Sequence, residues 1–170
     1  MLDEIVVRPL IGEAFKPFGD IIEVDDEAEV ISINDGFATR YNDLASVDVQ
    51  ESGGRPLINI FRCRPRPLPI AIHMMERHPM ASQAFIPLHK NRFLIVVAPP
   101  GDKVDPASLS AFITNGSQGV NYARSVWHFP LIGLGEEQDF LVVDRGGDGN
   151  NCDELYFNKS ETRVLKLQAI

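Results

Sequence analysis

The segment His73-Met-Met-Glu-Arg-His-Pro-Met-Ala-Ser-Gln83 concentrates groups that can move protons or bind a divalent ion. It holds two of the chain's four histidines, a carboxylate and an amide. If residues 70–78 form one strand, alternation puts Glu76 and His78 on one face and His73 on the other. Gln83 follows, and His128 closes a later apolar stretch. Imidazole, carboxylate and amide groups drawn from separate strands onto one inner face suit a divalent metal. Polar groups at strand ends also serve to tie down loops, so the segment alone leaves both roles open.

Asn121-Tyr122-Ala-Arg124 is a second cluster. On a regular strand Tyr122 and Arg124 share a face, pairing a phenol that can donate or accept a proton with a guanidinium fork for a carboxylate. Arg40-Tyr41 repeats the chemistry. The common fate of either pair is a surface arginine beside a half-buried tyrosine. Trp127 reads as core filling or a pocket wall. Asp144 and Arg145 point to opposite faces, and each is expected to form a salt bridge with another strand. There is no GxSxG elbow and no Ser-His-Asp order, which counts against a serine nucleophile. Cys63 and Cys152 are far apart, without a CxxC spacing, and nothing local supports either as a nucleophile.

The elements that would position these groups are short. Segments 57–63, 70–74, 93–98, 111–114, 125–129 and 140–143 are rich in β-branched and aromatic residues. Twelve prolines and thirteen glycines punctuate the chain. This pattern predicts an antiparallel sandwich or barrel rather than βαβ units. Asn115-Gly116 predicts a hairpin turn, because both residues tolerate positive φ. Helix is expected only over residues 12–17 and 106–112, the latter opened by a proline. The stretch Arg145-Gly-Gly-Asp-Gly-Asn-Asn151 lacks the following helix and lysine of a phosphate loop and the ligand spacing of a calcium loop, so it reads as a polar turn.

A length of 170 residues suits a single domain, 1–170, with a sizeable core. The net charge of −8 disfavours nucleic acid and anionic membranes as partners. Two cysteines cannot staple a domain of this size, and the first residues lack an apolar signal core. A cytoplasmic location is therefore expected.

Read together, several stretches resemble the ureidoglycolate lyases, formerly called ureidoglycolate hydrolases. They are Phe18-Gly-Asp-Ile-Ile-Glu23, Arg40-Tyr41, Glu76-Arg-His-Pro79, Gln83-Ala-Phe-Ile-Pro87, Ala111-Phe-Ile-Thr-Asn-Gly-Ser-Gln-Gly-Val-Asn-Tyr122, Trp127-His128, Pro130 and Asp144-Arg-Gly-Gly147. The long block ending at Tyr122 is the most specific. The resemblance implies an all-β, cupin-like jelly-roll barrel with a few short helices, a homodimer, and cleavage of (S)-ureidoglycolate to glyoxylate and urea in allantoin (purine) degradation.

It also implies that Glu76, His78, Gln83 and His128 occupy the four cupin metal positions. Glu76 stands where a histidine is usual and Gln83 where a carboxylate is usual. The family's association with nickel keeps a divalent metal, Ni2+, open as a cofactor. On these positions His78, His128 and Tyr122 are the candidate catalytic groups. Arg40, Tyr41, Asn121 and Arg124 are the candidate substrate binders, with the arginines as carboxylate clamps. The rival readings are a metal-dependent cupin isomerase or dioxygenase, and a ligand-binding cupin without catalysis.

Overall fold

The computed structural model describes residues 3–167. Strands dominate, and they assemble into two sheets that face one another. One sheet has the order Gly19–Ile22, Gly119–Tyr122, Gln83–Pro87, Gln138–Gly146, Arg55–Cys63. The other runs Asp153–Tyr156, Met74–Arg77, Trp127–His128, Phe93–Ala98, Ser110–Ile113, Val7–Pro9, with Ile132–Gly133 also paired to Phe93–Ala98. A small sheet of Glu4–Ile5, Arg163–Leu165 and Ile70–Ile72 lies behind the second. The architecture is an all-β jelly roll of the kind expected.

Residues 93–98 show why the layers form. Phe93, Ile95 and Val97 enter the cluster between the two main sheets, together with Phe85, Phe112, Val120, Tyr122, Phe140 and Val142. Leu94, Val96 and Ala98 enter the cluster behind, with Ile70, Ile72, Trp127 and Leu165. A strand buried on both faces reads as an unbroken apolar run, and its period of two sorts side chains between two cores.

Four local expectations change. Residues 70–78 are not one strand: Ile70–Ile72 pairs with Arg163–Leu165, whereas Met74–Arg77 joins the large sheet. The chain changes sheets at His73, whose exposed ring turns away from the other histidines and packs edge-on against Phe129. The helix expected over 106–112 shrinks to a 3-10 turn, Pro106–Ser108, capped where the Asp105 carboxylate accepts from the Ala107 N–H at 2.9 Å. Beyond it Ala111 and Ile113 must face one core and Phe112 the other, which only a strand allows.

Asn115-Gly116 is a turn but not a hairpin, because Ser110–Ile113 and Gly119–Tyr122 lie in different sheets. Gly116 has φ +100°, and a Cβ there would meet the Lys90 carbonyl at 2.3 Å, so this sheet-to-sheet corner requires glycine. The strand expected over 125–129 is reduced to Trp127–His128 because Ser125 sits at φ +64°. The helix expected over 12–17 is present as the single turn Gly12–Phe15.

Candidate active site

Two rows of polar side chains meet between the sheets. In the second sheet His128 pairs with Val97, whose side chain is in the inter-sheet cluster, so His128 points inward. Glu76 lies directly opposite His128 on the adjoining strand and faces the same way. In the first sheet Tyr122 lies opposite Gln83. Extending the Ala84–Val143 pairing by one residue sets Gln83 opposite Asp144. The rows touch where Tyr122 stacks on His128, with centroids 4.5 Å apart and planes 15° apart. His78 follows its strand and brings its ring to 5.1 Å from that of His128.

Both histidines are anchored by Nδ1. That of His78 lies 2.7 Å from the Asn151 carbonyl, and that of His128 lies 3.1 Å from the Val126 carbonyl. A carbonyl only accepts, so each Nδ1 carries the hydrogen and each Nε2 turns to the interior. Nε2 of His78 lies 3.0 Å from Gln83 Oε1, an acceptor, so that contact is a hydrogen bond only when Nε2 is protonated as well. Nε2 of His128 is fully buried without a hydrogen-bond partner, and the nearest charged group is Glu76 Oε1 at 3.4 Å. A buried lone pair facing a carboxylate is unfavourable unless a proton or a cation lies between them.

Ligand atoms of Glu76, His78 and His128 all lie within 4.8 Å of one another. Together with the backbone-anchored imidazoles and the orphaned Nε2, this donor set fits a divalent ion. A second group, Glu76 with the exposed Cys152 and Glu154, lies beside the first. There burial, reinforced by the charges of Glu76, Glu154 and Asp153, pushes the Cys152 thiol up and keeps it protonated.

Burial pulls the His78 imidazole below its ordinary range, and the neighbouring charge of His128 adds to it. The contacts with Asn151, Glu76 and Gln83 offset only part of this. Burial alone would raise the Glu76 carboxyl. The close approach of His128 at 3.4 Å and the charge of His78 outweigh it, so Glu76 is held below its ordinary value. Tyr122, fully enclosed and near Glu76, is pushed far up and remains a protonated phenol.

The structure thus gathers Glu76, His78, Gln83, His128 and Tyr122, but not the four expected substrate binders. Asn121 alternates to the outer face, where its amide donates to Asp20 Oδ2 at 3.0 Å and to the Ser46 carbonyl at 2.9 Å. Arg124 lies in a turn beyond the strand, bound by both oxygens of Asp48 at 2.7 and 2.9 Å and by Glu51 at 3.0 Å. Both residues fasten a segment that straps the outside of the sheet. Arg40 and Tyr41 belong to a separate exposed hairpin, Glu29–Ile33 with Ala38–Asn42, and touch neither row.

Sequence reasoning missed Asp144 and Asn59. Neither residue 144 nor 145 forms the expected salt bridge among the described residues. Asp144 Oδ1 accepts from the Asn59 amide at 3.0 Å, and the Arg145 guanidinium donates to the carbonyls of Glu51, Gly147 and Asp148. The available signal was parity with the apolar Val142, which faces inward two residues earlier.

Surface clefts lined by Leu10, Lys16 and Glu23, or by Arg8 and Arg163, contain none of the row residues. Neither cleft offers a histidine, and the acid–base groups converge only in the rows. No helix among the described residues is long and apolar enough to cross a membrane.

Residues 2–164 match the family model described as Ureidoglycolate lyase. A Burkholderia mallei protein named ureidoglycolate lyase is 55% identical over 148 residues, covering 87% of this chain and 86% of the relative. A Pseudomonas syringae pv. tomato protein of that name is 50% identical over 161 residues, covering 95% and 94%. One from Pseudomonas paraeruginosa is 48% identical over 163 residues, covering 96% of each chain.

Proposed function

The chain belongs to the ureidoglycolate lyase family, and we propose that its facing polar rows cleave (S)-ureidoglycolate to glyoxylate and urea in the breakdown of allantoin for nitrogen. Relatives carrying that name over nearly the whole chain support the substrate. The observation that supports the site is the pair of inward Nε2 atoms on His78 and His128, each fixed by a backbone-bound Nδ1.

The substrate's reacting carbon bears a hydroxyl, a carboxylate and a ureido nitrogen. A base removes the hydroxyl proton, the oxygen's electrons form the aldehyde C=O, the C–N bond breaks, and the departing nitrogen takes a proton. No water is consumed, so the reaction is an elimination. His128 Nε2, which has no hydrogen-bond partner, offers a lone pair to receive the hydroxyl proton, and His78 does so once its Nε2 leaves the Gln83 carbonyl. The imidazolium so formed can pass that proton to the urea nitrogen, while the Tyr122 phenol donates a hydrogen bond without ionising. Glu76 stabilises positive charge on either ring, since it remains a carboxylate. Alternatively, Glu76, His78 and His128, with Gln83 beside them, would hold a divalent cation such as Ni2+, which would take up the ring lone pairs and instead lower the hydroxyl pKa by its Lewis acidity.

The test is direct. Purified protein, stripped of metal by chelation and then reconstituted with Ni2+, should release glyoxylate and urea in equal amounts from (S)-ureidoglycolate. A protein that releases neither in either state would overturn the assignment. The pH profile is a second check. With His78 as the base, its conjugate acid is pulled below the ordinary value of 6.5 and the ring stays neutral as pH falls through that value. Turnover should therefore persist at pH 6.5 and fail only in more acid solution. Loss of turnover already above pH 7 would assign the limiting proton to another group.

This reading includes a single catalytic domain acting in the cytoplasm as a homodimer. Free Cys63 and Cys152 accord with a reducing compartment. Ile58 and Ile60, exposed on the edge strand Arg55–Cys63, offer apolar surface for a second copy. Sedimentation at the mass of one chain would remove the dimer from the proposal.

A further inference from the structure

Asp144 is an inward-facing acid that the proton transfers above do not use. It shares the inner face of Gln138–Gly146 with Val142, two residues earlier in the buried cluster. Asn59 holds Oδ1 at 3.0 Å from one neighbouring strand, and the strand of Gln83 adjoins it on the other side. No lysine or arginine among the described residues forms an ion pair with it. Arg145 turns to backbone carbonyls instead. Glu76, by contrast, has His128 at 3.4 Å.

A half-buried carboxylate held by a neutral amide still has capacity for N–H donors and repels a second anion. A ureido group presents an N–H and an NH2 hydrogen in parallel, a spacing that matches the two oxygens of one carboxylate as a guanidinium fork does. Ureidoglycolate carries such a donor pair at one end and its own carboxylate at the other.

We propose that Asp144, aligned by Asn59, receives the ureido N–H groups and thereby fixes which way round the substrate lies. The ureido end meets Asp144, and the substrate carboxylate is directed away from it. This inference rests on the lyase reading. It names Asp144 as a substrate-orienting residue that touches the leaving group.

Product inhibition separates the two ends, because urea probes the Asp144 side and glyoxylate the other. In Asp144→Asn one acceptor oxygen becomes a competing NH2 donor. The KM for ureidoglycolate and the inhibition constant for urea should each rise about tenfold or more, while that for glyoxylate changes by less than about twofold. Asn59→Ala keeps the carboxylate but loses its alignment, and should shift urea inhibition about threefold in the same direction. It carries the test if Asp144→Asn does not fold. Unchanged urea inhibition, or equal weakening of urea and glyoxylate, overturns the inference while wild-type activity stands. A wild type that makes no glyoxylate overturns the lyase reading, and this inference with it.

Discussion

His128→Ala should lower turnover of ureidoglycolate by about 100- to 10,000-fold, the range that a positioned acid–base group contributes. The ring is almost wholly buried, its Nε2 has no hydrogen-bond partner, and the group its removal exposes on that side is the half-buried Glu76 carboxylate 3.4 Å away. What is lost is the Tyr122 stack and the tie to the Val126 carbonyl. The fold should survive, and circular dichroism would verify this before glyoxylate release is followed. His78→Ala should fall by a similar factor, because its ring sits 5.1 Å away and turns its Nε2 toward Gln83 of the facing row. If the two rings act as one unit, the double variant will be little worse than either single one. Folded variants with full turnover would remove both histidines from the chemistry and move the search for the base elsewhere in the facing rows.

The inward convergence of Glu76, His78, Gln83 and His128 was partly legible in the residues. Parity alone placed Glu76 with His78 and against His73. It succeeded although the presumed strand is broken, because Glu76 and His78 both lie beyond the break at His73. The sheets were legible for a similar reason, since residues 93–98 are apolar at every position and only a doubly buried strand needs that. Partnership was not legible. Tyr122 and Arg124 have the right spacing to share a face, yet the strand ends at Tyr122 and Arg124 turns out to Asp48 and Glu51. Asp144 reads locally as half of an acid–base dipeptide, and its true neighbour, Asn59, is 85 positions away. Side chains that meet across sheets depend on register, and register is fixed by the summed burial of whole strands rather than by any pair.

That dependence leads to the largest expected effect on stability. Phe140 is fully buried near the start of Gln138–Gly146, edge-on to Phe93 of the opposite sheet at 5.0 Å and to Phe85 of its own at 6.4 Å. It therefore spans the gap across which the polar rows face each other. Truncating such a ring removes its transfer free energy and leaves a cavity, at a cost of about 3–5 kcal/mol. For a domain of this size that corresponds to a fall in Tm of roughly 6–20 °C. Leu141, the next residue, points to the outer face and is only partly buried, so Leu141→Ala should cost much less. Paired thermal melts of the two variants, read by calorimetry or circular dichroism, make the comparison. Equal losses would mean that the cluster between the sheets is not what holds them in register. A much larger loss at Phe140, with turnover retained at temperatures well below the melt, would show that the inter-sheet core holds the two rows at their working distance without itself taking part in the chemistry.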